Sequence, residues 1–212
     1  MIDPSTLWLF SLAALALLVV PGPAVLYIVG QAIDGGRKAG LVSMLGIQTG
    51  GLVHVLAAAV WISALIASSA TAFTVVKLAG AAYLVVFGVL TLLRREPVDP
   101  ATEAPAERTS SRRYLQGIVV NVLNPKTALF FLAFLPQFVD EDAGRVGLQV
   151  LVLGLVFLTL AVVSDGAWAL AAGTAGEWLR HHHGFLRARR YVSGTVFVAL
   201  GVLTAFARRS HA

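Results

Sequence analysis

Lys126 and Asp165 are ionisable residues inside long apolar runs of this chain. A charge within a membrane-length apolar segment is costly, so such a residue is a functional candidate by default. Lys126 follows Asn124-Pro125 directly. Asparagine is a good N-cap and proline suits the first helical position, so a half-helix is predicted to start there with a full positive charge in its first turn. A second interruption, Pro21-Gly22-Pro23, lies in the middle of the first apolar run. Proline removes a backbone donor and clashes with the preceding turn, so the helix should unwind there and restart near Pro23. Two half-helix N-termini and one lysine make a site suited to a carboxylate. The plainer alternative is a pair of packing kinks.

Depth along a helix follows from about 1.5 Å per residue. By that rule Lys126 lies roughly 18 Å from one end of its run and Asp165 roughly 14 Å from the matching end of its own. The two could share a cavity, where Asp165 would meet an ammonium group or carry a coupling proton. They could also be a purely structural pair. Asn121, one turn before Pro125, could bind substrate or cap freed carbonyls. His54, with Gln48 on the turns before it, could relay protons because its ordinary pKa is near neutrality. An interhelical hydrogen bond is the alternative for His54. Asp34 is a third proton-coupling candidate, with simple solvation at a helix end as its alternative.

The elements that must hold these residues are membrane helices. Of 212 residues, 58% are hydrophobic and 13% charged, against about 45–50% and about 25% in a soluble domain. Six apolar segments are predicted, at residues 6–33, 41–66, 73–93, 114–138, 146–174 and 191–207. Each is long enough to cross a hydrocarbon core of about 30 Å. The first run lacks a basic leader region and a cleavage site, so it is read as a span that stays in the mature protein. The expected fold is an all-α integral membrane domain over residues 1–212. Its first half is 1–93, its aqueous linker 94–113 with Pro97, Pro100 and Pro105, and its second half 114–212.

The third and sixth segments resemble each other. Both begin with a base, Lys77 and Arg190, and both carry Gly-Val-Leu-Thr, at residues 88–91 and 201–204. The first and fourth are each broken by proline. Three spans per half is an odd number, so the halves would be inverted relative to one another, a 3+3 inverted repeat. Interrupted segments at matching positions of two halves point to a transporter site. Basic residues gather at one set of loops, including Arg37, Lys38, Arg94, Arg95, Arg112, Arg113, Arg180, Arg187, Arg189 and Arg190. The positive-inside rule then puts both termini outside.

Net charge is +5, but the bases sit at span ends and form no stripe interleaved with aromatics. They meet lipid head groups, and no nucleic-acid partner is expected. The chain has no cysteine, which excludes disulfides and thiolate metal sites. The run His181-His182-His183 cannot face one ion from one helix, so no metal site is expected. There is no nucleophile elbow, Walker loop, HExxH or carboxylate pair, so an enzyme is not expected.

Taken together, the chain resembles the LysE/RhtB family of amino-acid exporters. The residues that carry the resemblance are Pro21-Gly22-Pro23, the stretch from Gly35 to Gly51, and Lys77-Leu78-Ala79-Gly80-Ala81-Ala82-Tyr83-Leu84. They continue with Gly117 through Asn124-Pro125-Lys126, Phe130-Phe131 and Pro136-Gln137-Phe138. The resemblance covers nearly the whole chain. It implies a multi-pass plasma-membrane exporter of amino acids or close derivatives, driven by the proton motive force, without a cofactor and able to form homo-oligomers. On that resemblance the substrate-binding candidates are Pro21, Gly22, Pro23, Asn121, Asn124, Pro125, Lys126 and Asp165. Two other readings of the residues are a cation or metal exporter using Asp34, Asp165 and the histidine run, and a non-transporting membrane scaffold.

Overall fold

The computed structural model describes residues 2–68, 109–140 and 143–180, with isolated helical positions at 75, 78, 82, 85, 86, 89, 93, 198 and 202. All of the regular structure among the described residues is helical. Apart from those isolated positions, the repeat at residues 77–91 and 190–204 lies outside them, as do the linker over 94–108 and the run His181-His182-His183.

Helix α1 runs Pro4–Val19. Asp3 caps it, its carboxylate accepting from the Ser5 backbone N–H at 2.9 Å and from the Ser5 hydroxyl. These bonds hold the Asp3 carboxyl below the usual carboxylate range. Phe10, Ala14, Leu17 and Leu18 face inward at helical spacing, while Trp8, Leu12 and Leu15 stay exposed on the other faces. The helix stops at Val20, which is extended at φ −74° and ψ 115°. Val20 precedes Pro21, and the residue before a proline is pushed out of the helical region.

Helix α2, Pro23–Ser68, restarts two residues later. Its first turn is closed by the Leu26 N–H on the Gly22 carbonyl at 3.0 Å. The sequence places a loop near residues 34–40. The structure has only a two-residue joint there, Gly35 (φ −128°, ψ 15°) and Gly36 (φ 72°, ψ −174°). A positive φ costs a side-chain-bearing residue dearly, so glycine at 36 is what allows the joint to be so short. It divides α2 into limbs of residues 23–34 and 37–68.

Helix α3 is Ser110–Val122, capped by Thr109. It starts inside the segment expected to be linker, so Arg112 and Arg113 are helical. Helix α4, Pro125–Leu129, follows after a break at Leu123 and Asn124. The axis bends by 44° between Ser110–Val122 and Pro125–Phe138. Beyond α4 the backbone passes through a π-helical turn, Phe130–Phe134, and a 3₁₀ turn, Leu135–Phe138. Helix α5 spans Val146–Arg180. Gln149 fastens the loop before it: its Oε1 accepts from the Asp140 N–H at 2.9 Å, and its Nε2 donates to the Asp140 and Gly144 carbonyls at 2.7 Å each.

The long limb of α2 packs between α3 and α5. A Cβ on Gly46 would lie 2.1 Å from the Tyr114 carbonyl oxygen, and one on Gly117 would lie 2.7 Å from the Ser43 carbonyl oxygen. Small residues of this kind are what let membrane helices approach backbone to backbone. One apolar cluster joins α1, the long limb of α2, α5 and the rings Phe10, Phe130, Phe131, Phe134 and Phe157. A smaller one seats Ile28 of the short limb with Met44, Ile47 and Ala169.

Among the described residues, 23–62 and 146–174 are each long and apolar enough to cross a membrane, and Ser110–Val122 with Pro125–Phe138 passes the same test only as a bent pair, a broken span or a re-entrant loop. Helix α1 is shorter, 16 residues or about 24 Å.

Candidate functional site

The two breaks meet. Val20, the last residue before the first break, turns its carbonyl toward the second, and Lys126 Nζ donates to it at 2.6 Å. Extended backbone at Val20 frees this oxygen from helical bonding, and a freed carbonyl in hydrocarbon needs a donor. Lys126 reaches it by running across Gly22. A Cβ there would stand 2.9 Å from Lys126 Cδ, so the absence of a side chain at 22 makes the path.

Asn124 caps α4 through its Oδ1, which accepts the Lys126 backbone N–H at 3.0 Å. That N–H is thus already satisfied, and this helix start contributes the lysine ammonium to the site. Asn124 Nδ2 donates to Asn121 Oδ1 at 3.4 Å, and the Thr127 hydroxyl donates to the same oxygen at 3.0 Å. Asn121 Nδ2 donates to the Ile47 carbonyl at 2.7 Å. The second break is therefore stitched to the long limb of α2.

A cavity of about 30 Å³ lies between the breaks, room for roughly one or two water molecules. Gly22, Ala24 and Val25 line it from the first break, and Asn121, Asn124, Lys126 and Thr127 from the second. Gln48 and Asp165 close it on the polar side, with Leu17, Phe157 and Ala161 among the apolar groups. Lys126 and Asp165 are 7% and 4% exposed, and their charges are close enough to interact. Asp165 Oδ2 also accepts from Gln48 Nε2 at 2.8 Å. Buried polar groups need hydrogen-bond partners, and Lys126 and Asp165 each have one, the Val20 carbonyl and the Gln48 amide. An ammonium, a carboxyl group, amides and one hydroxyl thus line one small cavity, groups complementary to the two ends of a zwitterion.

Of the residues expected at the site, Gly22, Asn121, Asn124, Lys126 and Asp165 line the cavity. Pro21 is buried beside it, Pro125 is half-buried, and the Pro23 ring is exposed. The prolines act through the backbone they shape. His54 lies one layer away. Its Nε2 bonds the Asn121 carbonyl at 2.9 Å and its ring stacks on Phe131 at 6.2 Å. Asp34 is exposed at the Gly35–Gly36 joint, away from the cavity. Three groups in the site were not expected from the sequence: Gln48 as the partner of Asp165, Thr127, and the Val20 carbonyl. Gln48 carried a usable signal, a polar residue within an apolar span. Among the described residues no cluster of histidine and acidic side chains could hold a metal ion.

Residues 15–208 match the family model of the LysE type translocator. An uncharacterized membrane protein of Vibrio cholerae serotype O1 is 32% identical over 95% of this chain and 97% of its own length. The homoserine/homoserine lactone efflux protein of Salmonella typhimurium is 28% identical over 96% of this chain and 98% of its own. The leucine efflux protein of an Enterobacter species (strain 638) is 29% identical over 74% and 73%. No solved structure matches the chain significantly. The polar cavity between two proline breaks thus sits in a chain matched almost end to end, and this protein belongs to the LysE type translocator family.

Proposed function

We propose that the protein exports neutral amino acids, or close derivatives of them, across the plasma membrane by proton antiport. The observation that supports this most is the burial of Lys126 and Asp165 in one cavity between two helix breaks. Lys126 receives the substrate carboxylate and Asp165 its ammonium. Gln48, Asn121 and Thr127 bind what remains polar. One base and one acid are used up by the zwitterion, so a third charge on the substrate would find no partner. Relatives named for homoserine and for leucine efflux agree with a neutral side chain.

The fold in this reading is six spans in a 3+3 inverted repeat, with both termini outside. The cavity at about 30 Å³ is too small for an amino acid, so the conformation is a closed one and the halves must part for loading. The test is amino-acid accumulation outside cells that make the protein, across a panel of neutral, basic and acidic substrates. Wild-type protein should export neutral ones and stop when the proton gradient is collapsed. Lys126→Ala and Asp165→Asn should each cut export at least about tenfold. Unchanged export by both variants would remove the proposed binding site.

A further inference from the structure

We propose that residues 23–34, the short limb of α2, are a gate: a rod hinged at both ends, latched to α3 by Arg113, whose swing opens the cavity toward the basic loops. The proposal rests on the transport reading above and adds the moving part.

Both hinges are visible in the backbone. At one end residues 20–22 are non-helical between α1 and α2, and the helix before them stops in extended conformation. At the other end Gly35 and Gly36 leave the helical region, Gly36 at φ 72°. The rod between is 12 residues, or about 18 Å. Its neighbours are packed backbone to backbone. The limb beyond Gly36 meets α3 backbone to backbone at Gly46 and Gly117, and a Cβ on Gly173 of α5 would lie 2.7 Å from the Arg37 backbone nitrogen. A helix with a break at each end, beside helices packed this closely, can swing as a unit.

The rod carries one wall of the cavity through Ala24 and Val25. One to two turns further on it is tied to the second half. Tyr27 Oη donates to the Arg113 carbonyl at 2.6 Å, and Arg113 Nε donates to Gln31 Oε1 at 3.1 Å. The guanidinium rests on Gly35, where a Cβ would lie 2.8 Å from both terminal nitrogens. Thus Arg113 grips the rod and the hinge at once, on the side where Arg37, Lys38 and Arg112 gather. Gln31 is 6% exposed, so its bond to a cation is partly shielded from water and hard to replace. The rod's inner face is seated through Ile28 against Met44, Ile47 and Ala169, and through Ala32, which a Cβ on Gly40 would meet at 2.7 Å. Breaking the Arg113–Gln31 bond leaves this apolar seat and the Tyr27 hydroxyl on the Arg113 carbonyl as the remaining restraints.

The test uses the natural lack of cysteine. Ala24→Cys places one thiol on the cavity wall of the rod. Its modification by a membrane-impermeant cationic methanethiosulfonate reagent is timed in vesicles of both orientations. Arg113→Gln and Gln31→Leu, each added to Ala24→Cys, should raise the rate about tenfold from the basic-loop side, as expected when a hydrogen bond to a charged group is lost. The rate from the opposite side should not rise. Two variants are used so that one that fails to fold leaves the other to decide. Unchanged labelling from the basic-loop side, or an equal rise from both sides, overturns the gate. Efflux by the unmodified protein is measured in parallel. Its absence would overturn the transport reading and leave the labelling, which reads only access to the rod, to decide the gate.

Discussion

Lys126 Nζ donates a 2.6 Å hydrogen bond to the carbonyl of Val20, a residue 106 positions earlier in the chain. The lysine belongs to the start of one half-helix and the carbonyl to the end of another. The bond therefore joins the two places where the backbone is interrupted. A substrate carboxylate arriving in the cavity would compete with that carbonyl for the same ammonium.

Replacing the lysine should act on both binding and folding. Lys126→Met leaves the Val20 carbonyl without this donor in apolar surroundings, at a cost of about 1–3 kcal/mol. Efflux should fall at least about tenfold, since a hydrogen bond to a charged group contributes about 1.5–3 kcal/mol. Thermal unfolding in detergent and external amino-acid accumulation measure the two effects separately.

Gly22 offers a graded probe of the lysine's path. A Cβ at 22 would stand 2.9 Å from Lys126 Cδ, which a flexible side chain can yield to. Gly22→Ala should slow efflux severalfold while the protein still folds. Gly22→Val, with two further methyl groups, should abolish efflux. Equal activity of wild type and Gly22→Val would show that the lysine does not need this route.

Asp165 and Lys126 should behave as one unit. Asp165→Asn keeps an acceptor for Gln48 but deletes the charge that faces Lys126, and efflux should fall at least about tenfold. The double variant with Lys126→Met should be less impaired than the two single losses combined, because neighbouring members of one network are not additive. A double-mutant cycle on transport rate measures this. Full additivity would mean that the two residues act independently.

Away from the cavity, Gly46 should matter for stability. Any side chain there meets the Tyr114 carbonyl at 2.1 Å, and backbone cannot step aside as a side chain can. Gly46→Leu should destabilise the α2–α3 contact by about 1–3 kcal/mol or more. A melting curve of the purified protein reads the loss. Gly30→Ala, where nothing lies within 4 Å of the added atom, is the matched control.

The breaks were readable because Pro21-Gly22-Pro23 and Asn124-Pro125 each state a local mechanism: a missing donor, a steric clash, a cap. The shared cavity of Lys126 and Asp165 was readable because helical rise converts sequence position into depth. Other features were hidden for definite reasons. The Val20 carbonyl is a backbone group, and residue type says nothing about where it points. Gln48 and Asp165 are 117 positions apart, so only tertiary packing makes them partners. Gly35-Gly36 reads equally well as a loop or as a tight joint, and the packing of the limb beyond it decides. The π turn at Phe130–Phe134 depends on how the rings pack against Phe10 and Phe157, which local pattern does not encode. The third and sixth segments, where the repeat is most visible in sequence, fall outside the described residues.

The rings of Phe10, Phe130, Phe131, Phe134 and Phe157 interlock at centroid separations of 4.7–5.8 Å. They lie on the side of the cavity opposite Arg113, reached by moving from Leu17 back toward Phe10 and from Lys126 on toward Phe134. The rings themselves offer a hydrated ion no donor or acceptor, and the polar ring beside them is His54, stacked on Phe131 at 6.2 Å. On that side of the cavity the packing is aromatic, and on the other amides and charged groups gather. For the proton-coupled exporter proposed above, an aromatic layer on one side of its site should keep idle leak of the electrochemical gradient small.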